Sequence, residues 1–273
     1  MPSQTDLFHR LHTAPAPLIL VNAWDAASAR VIERAGASAI ATTSAGIAWS
    51  LGYSDGERMP AGDLIAACAR ICRVAHVPVS VDLERGYGDS TQAVRDVAAA
   101  LIDLGVDGIN IEDGTRPGTR ELVPPDVLCK RIAAIRALDA RFFINARTDT
   151  HIVPWDDPAA RFEETLRRAA LCAAAGADGI FVPGLSSPEE IEGLSRAVAL
   201  PVNVYAGYAG APTVESLAQA GARRVSLGCG PLQAALGLVG RLASEAFAHG
   251  RFDAMDERML SVGELNALFS PAA

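Results

Sequence analysis

Ala35-Gly36-Ala37-Ser38-Ala39-Ile40, Leu104-Gly105-Val106-Asp107-Gly108-Ile109, Ala175-Gly176-Ala177-Asp178-Gly179-Ile180 and Ala220-Gly221-Ala222-Arg223-Arg224-Val225 repeat one phrase along the chain. Each follows an amphipathic, Ala-rich stretch and leads into a short β-like run. Glycine at that place fits a helix end, where a left-handed residue carries no Cβ penalty. A second phrase alternates with the first. His76-Val77-Pro78-Val79 and Leu200-Pro201-Val202 put proline at the first position of a strand, where its missing N–H is tolerated.

Extended outward, this punctuation predicts strands near 18–23, 38–43, 77–83, 108–112, 142–148, 179–183, 201–205 and 224–228. Helices are expected near 26–35, 62–75, 90–104, 125–139, 157–175, 187–198, 213–220 and 231–248. Short, nearly continuous apolar strands are those of a parallel sheet covered by helices. Eight β-then-α units read as a (β/α)8 TIM barrel, an α/β fold. A Rossmann sheet would leave two strands unplaced, and no GxGxxG follows an early strand. Residues 1–273 read as a single domain, with the barrel at about 15–248 and a helical tail over 251–273.

Composition narrows the function. The 273 residues are 50% hydrophobic, and 24 Lys and Arg against 32 Asp and Glu leave a net charge of −8. A mean hydropathy of +0.20 excludes a disordered chain. The acidic balance argues against nucleic-acid or anionic-membrane partners. No stretch approaches the ~18 uninterrupted apolar residues of a membrane span. The apolar run Pro17–Val21 is shorter than the ~7–15 residues of a leader's hydrophobic region, so a cytoplasmic location is expected. The five cysteines lack zinc or redox spacing and read as reduced structural thiols. The five histidines form no metal-binding motif.

In such barrels chemistry sits where strands end and βα loops begin. The polar residues there are Asn22 and Asp25; Thr42, Thr43 and Ser44; Asp82 and Glu84; Asn110, Glu112 and Asp113; Asn145, Arg147 and Asp149; Asn203 and Tyr205. Alternation puts Asp82 with Glu84 on one face, Asn110 with Glu112, and Asn145 with Arg147 and Asp149. Carboxylates converging on one mouth repel unless a cation lies between them, and hard oxygen donors suit Mg²⁺. Arg147 beside it would bind a carboxylate or phosphonate bidentately. Some acids have a plainer use: Asp25 reads as a helix cap, and Asp89-Ser90 or Asp113 can serve the same way.

Five motifs in order resemble the isocitrate lyase/phosphoenolpyruvate mutase superfamily. They are Asn22-Ala23-Trp24-Asp25; Thr43-Ser44-Ala45-Gly46-Ile47 with Leu51-Gly52-Tyr53-Ser54-Asp55; Asp82-Leu83-Glu84-Arg85-Gly86-Tyr87-Gly88; Gly108-Ile109-Asn110-Ile111-Glu112-Asp113; and Asn145-Ala146-Arg147-Thr148-Asp149. The resemblance spans about residues 15–248. It implies Asp82 as direct ligand of Mg²⁺ (or Mn²⁺), with Glu84, Asp55 and Glu112 holding the metal's waters. Glu84 stands where the family usually has Asp. Backbone amides of Ser44, Ala45 and Gly46 would cradle a substrate carboxylate, and Trp24, Asn110, Asn203 and Tyr205 would line the pocket. Arg147, assisted by Glu112 and Asp55, would act on the far end of a small 2-oxo acid while the metal stabilises an enolate. A dimer of dimers exchanging C-terminal helices is also implied. The segment Ala234–Phe247 suits that exchange, and equally an ordinary eighth barrel helix.

The chain departs from the family after the fourth strand. Glu112-Asp113-Gly114-Thr115-Arg116-Pro117-Gly118-Thr119-Arg120-Glu121-Leu122-Val123-Pro124 replaces the long loop that carries the lyases' acid/base cysteine or the mutases' asparagine. Cys129, inside the next helix, is no substitute, and Phe181-Val182-Pro183-Gly184 lacks the lyases' glutamate. Arg116 and Arg120 are candidates to clamp an anion. These losses point to a decarboxylase or retro-Claisen enzyme on a 2-oxo di-acid, which needs less acid/base equipment. The alternatives are a phosphoenolpyruvate/phosphonopyruvate mutase or hydrolase, and a non-catalytic metabolite-binding barrel. A hydroxymethyltransferase would need a folate surface that the sequence does not offer.

Overall fold

The structure, a computed structural model, describes residues 3–114, 121–255 and 259–270. Among them nine parallel strand segments form one sheet in the order β1-β9-β8-β7-β6-β5-β4-β3-β2. They are β1 (Leu18–Leu20), β2 (Asn22–Ala23), β3 (Ile40–Thr42), β4 (Val79–Asp82), β5 (Gly108–Glu112), β6 (Phe143–Arg147), β7 (Gly179–Phe181), β8 (Val202–Tyr205) and β9 (Ala222–Ser226). The expected first strand over 18–23 is thus two segments separated by Val21 alone. Its first half pairs with β9 (Leu18 opposite Arg224) and its second with β3 (Asn22 opposite Ala41). The bend between neighbours closes the sheet into the expected α/β barrel.

The barrel helices fall where the sequence predicts them: α2 (Ala26–Arg34), α4 (Ala61–Val74), α5 (Thr91–Asp103), α6 (Pro125–Arg136), α7 (Pro158–Ala175), α8 (Pro188–Ala197), α9 (Val214–Gln219) and α10 (Gly230–His249). Asp25 caps α2 through the Ser28 amide at 2.7 Å, as expected. At α5 the cap is Ser90 rather than Asp89. Two further helices precede the fourth strand: α1 (Gln4–Thr13), started by a capping box of Ser3 and Asp6, and α3 (Ser44–Ser50). The tail holds a short 3-10 turn at Asp253–Met255 and α11 (Val262–Ala267).

Alternation along the strands divides the molecule into two apolar regions. Ile40, Val81, Ile109, Ile144, Ile180, Val204 and Val225 belong to the large core between sheet and helices. Leu18, Leu20, Ala39, Ala41 and Phe143 form a separate cluster with Phe8 of α1. The His12 ring stacks on Phe143 with centroids 4.0 Å apart. The lower end of the barrel is therefore plugged by α1. The polar inward positions further along the strands are left for the opposite end.

The longest helix is poorly covered. Of α10 only Leu232 is buried, while Val239 is 58% and Phe247 90% exposed. An apolar groove lined by Leu11, Pro17, Ile19, Val21, Val31 and Ala35 lies open on the barrel wall. Among the described residues no helix is long and apolar enough to cross a membrane.

Candidate active site

At the C-terminal ends of the strands the sequence-predicted acids meet. Asp82 ends β4, and its backbone N–H donates to Thr42 Oγ1 at 3.0 Å. Its carboxylate Oδ2 accepts from Ser44 twice, from Oγ at 2.8 Å and from the amide at 3.3 Å. The other oxygen, Oδ1, is buried without a partner. Glu84, two residues on, is held in the left-handed region (φ 51°), uncommon for a residue with a Cβ. It is 6% exposed, and Tyr87 donates its hydroxyl to Oε1 at 2.9 Å. Burial first, then the negative charges of Asp82 and Asp55, push its carboxyl up to about 8. Asp55, in the loop after α3, also titrates above its ordinary range. Crowding by protein atoms is the larger cause and the Asp82 charge the second.

Arg147 ends β6 and is already engaged. Its Nε and Nη2 donate to the two oxygens of Asp149 at 2.7 and 3.0 Å, a bidentate fork. Its Nη1 lies 2.8 Å from Glu112 Oε2 as an ion pair, though no N–H is aimed well enough at that oxygen to count as a hydrogen bond. The guanidinium also sits over the Phe181 ring, 5.8 Å from its centroid. Burial raises the Glu112 carboxyl well above its usual range, and the Arg147 charge offsets only part of that. Among the described residues, Glu112 is thus the one expected metal-site acid tied to an arginine.

Asp113 is no helix cap. Its side chain, 1% exposed, accepts from Thr148 Oγ1 at 2.7 Å, Arg168 Nη1 at 2.8 Å and the Asp149 amide at 2.9 Å. It thereby fixes the segment whose Asp149 grips Arg147. The small residues matter for space. A Cβ on Gly46 would lie 2.5 Å from Thr43 Cγ2 and 3.0 Å from Trp24 Cβ. Ser44, Ala45 and Gly46 form the first turn of α3, so the expected cradle is partly occupied. The Ser44 amide goes to Asp82 and the Gly46 amide to Thr43 Oγ1 at 3.4 Å.

Lower in the barrel, the expected pocket residues join a network that extends beyond them. Asn110 Oδ1 accepts from Asn145 Nδ2 at 2.9 Å and from Arg224 Nη2 at 3.1 Å. Arg224 Nε donates to Ser226 Oγ at 3.3 Å, and Ser226 donates to Asn203 Oδ1 at 3.1 Å. Gly179 leaves room for this layer, since a Cβ there would lie 2.6 Å from Asn145 Oδ1. Tyr205 ends β8 and donates its hydroxyl to the Gly207 carbonyl at 3.0 Å. Arg224 was not foreseen. Its signal is a second arginine beside Arg223 in a short strand, at the alternate position that places it inward with Ser226. Arg116 and Arg120 lie outside the described residues.

Among the described residues no group of three Asp, Glu, His or Cys side chains is arranged to ligate one ion directly. A Mg²⁺ held through few protein oxygens and several waters does not require one. The unpartnered Asp82 Oδ1, with the crowded carboxyls of Glu84 and Asp55 beside it, fits such an ion.

Residues 8–247 match the family model described as phosphoenolpyruvate phosphomutase. A protein of Burkholderia cenocepacia, solved as a candidate phosphonomutase, is 42% identical with a TM-score of 0.84; the match covers 88% of this chain and 99% of that one. An uncharacterized protein of Mycobacterium tuberculosis is 38% identical over 84% of each chain. The 2-methylisocitrate lyase of Aeropyrum pernix is 33% identical over 66% of this chain and 58% of its own length. The family match, which spans nearly the whole barrel, makes the chain a member of the phosphoenolpyruvate phosphomutase family, within the isocitrate lyase/phosphoenolpyruvate mutase superfamily.

Proposed function

We propose that this protein is a Mg²⁺-dependent carbon–carbon lyase acting on a small 2-oxo di-acid, a decarboxylase or retro-Claisen enzyme, with Mn²⁺ able to replace Mg²⁺. One observation carries the reading: the buried, unpartnered oxygen of Asp82 and the guanidinium of Arg147 stand at the ends of β4 and β6, the two neighbours of β5, at one mouth. A cation binder and an anion binder side by side suit a chelating 2-oxo acid. Asp82 would hold the metal directly, and Asp55, Glu84 and Glu112 would hold its waters. When bound, the ion supplies Lewis-acid stabilisation of the negative charge that develops as the bond breaks.

The remaining work belongs to the chain. Arg147 is prevented from swinging by Asp149 and Phe181, so it meets a substrate carboxylate in a fixed orientation. Ser44 holds Asp82 by Oδ2 and so aims the bare Oδ1 at the place a cation would take, while the Ala45 amide in the same turn would meet the substrate carboxylate. Trp24 and Tyr205 close the sides, and Asn110 and Asn203 form the floor. Mg²⁺-dependent release of pyruvate and CO₂ (decarboxylation) or of oxalate and acetate (retro-Claisen cleavage with water) from oxaloacetate, or of the matching fragments from related 2-oxo acids, tests the reading. No release from any of them would overturn it.

A second reading, C–P chemistry on phosphonopyruvate, is favoured by the 42% identity to the Burkholderia protein. Phosphorus NMR on phosphonopyruvate separates the two. Tight Mg²⁺-dependent oxalate binding without turnover of either substrate would mark a binding protein instead. The exposed α10 and the open groove near Ile19 support a homo-oligomer in which one copy's helix covers another's wall. A cytoplasmic enzyme of metabolism is the setting this reading implies.

A further inference from the structure

Arg224 is 1% exposed and is the largest fully buried side chain of the described residues. Its partners are neutral, Asn110 Oδ1 and Ser226 Oγ, and its Nη1 has none. Among the described residues it forms no ion pair. A buried charge without a counter-charge is costly, and an apolar side chain of similar size is frequently the more stable choice. Burial lowers the Arg224 guanidinium to about 9, and the negative charge of Asp82 is what partly restores it.

The fold offers no reason for this cation, and the pocket above it does. Asp55, Asp82, Glu84, Glu112 and Asp149 gather there, and among the described residues Arg147 is the one cation that forms an ion pair with any of them. Even with the Glu84 and Glu112 carboxyls held toward their neutral form by burial, such a mouth offers a doubly charged acid little positive charge beyond Arg147 and a divalent ion. We infer that Arg224 is a built-in counter-cation of the site, a buried charge beneath Asp82 that lets a carboxylate-rich pocket accept a doubly charged acid. It acts through the field it sets up and through the amides it orients, Asn110 directly and Asn203 by way of Ser226. It is a positioning residue, and the inference rests on the proposed site for a metal and an anionic acid.

Charge and structure make opposite predictions for Arg224→Met. Removing a positive charge near a cation site favours the cation and disfavours the anion. Mn²⁺ binding, followed by electron paramagnetic resonance, should tighten severalfold. Oxalate binding at saturating Mg²⁺, followed by calorimetry, should weaken at least tenfold, and the melting temperature should hold or rise. Arg224→Lys, which keeps the charge, should stay near wild type in both. If Mn²⁺ and oxalate binding weaken together, if neither changes, or if Arg224→Met does not fold, Arg224 serves the fold and the inference is wrong. Failure of the parent reading looks different. There the wild-type protein takes up Mn²⁺ without binding oxalate, while Arg224→Met still tightens the metal.

Discussion

Ser44 gives both its hydroxyl and its amide to the same oxygen of Asp82, at 2.8 and 3.3 Å, and the second carboxylate oxygen is left buried and bare. A carboxylate satisfied on one side alone is poised for a cation on the other. Asp82→Ala should therefore abolish Mg²⁺-dependent oxalate binding in a protein whose circular dichroism is unchanged. Ser44→Ala removes one charge-assisted hydrogen bond and should weaken binding by about 1.5 kcal/mol, roughly tenfold. Calorimetry with oxalate and Mg²⁺ measures both. Normal binding by Asp82→Ala would remove Asp82 from the site.

Arg147 separates binding from stability. Its loss leaves Glu112 and Asp149 buried beside each other with no cation, a situation that costs about 3–5 kcal/mol when one partner of a buried pair is removed. Arg147→Ala should weaken oxalate binding by a few kcal/mol and also lower the unfolding midpoint in denaturant. Adding Glu112→Gln should recover much of the stability and none of the binding. Recovery of both would show that Arg147 acts on the fold alone.

Much of this was legible beforehand because a parallel barrel writes itself in period: helix-ending glycines, then apolar strands, then polar residues at the strand ends. Asp82, Glu84, Glu112 and Arg147 follow from that position and from alternation. What the sequence concealed depends on contacts between distant segments. Asp113 looks like any acid ahead of a helix until Arg168, 55 positions later, closes on it. Arg224 reaches across the barrel to Asn110, and no local pattern predicts that reach. The helix α1 lies ahead of the repeating barrel pattern and is marked only by Phe8 and His12 one turn apart, the spacing of a buried helical face.

Glycine positions offer a controlled comparison. Gly46→Ala must displace Thr43 or Trp24 and should cost about 1–3 kcal/mol, together with most of the oxalate affinity, because the first turn of α3 moves off Asp82. Gly62, in α4, has nothing within 4 Å of an added Cβ, so Gly62→Ala should be neutral or stabilise by about 0.5 kcal/mol. Thermal unfolding and oxalate titration of the pair check the contrast. Equal effects would mean that crowding at Gly46 is not what shapes the turn.

Stability should depend on pH through α1. Burial, with a smaller contribution from the Arg224 charge, holds the His12 imidazole down to about 3 from its ordinary 6.5. Its Nδ1 hydrogen-bonds the Phe8 carbonyl at 2.8 Å and its Nε2 has no partner, so the folded protein keeps the ring neutral. The unfolded chain takes up a proton below about pH 6.5 and the folded one does not until about pH 3. The stabilisation is complete above pH 6.5 and is lost as the pH falls through that window, by about 1.4 kcal/mol per unit. From pH 6.5 to 5 the loss from His12 is about 2 kcal/mol, and His151, lowered to about 4, adds with the same sign. The buried Glu84 and Glu112 carboxyls, both raised, act with the opposite sign over the same range, so the His12 contribution is read as a difference between two proteins. Denaturant melts should show His12→Leu losing about 2 kcal/mol less than the wild type between pH 6.5 and 5. An unchanged slope in that variant would mean that the plug at the foot of the barrel tolerates a charged imidazole.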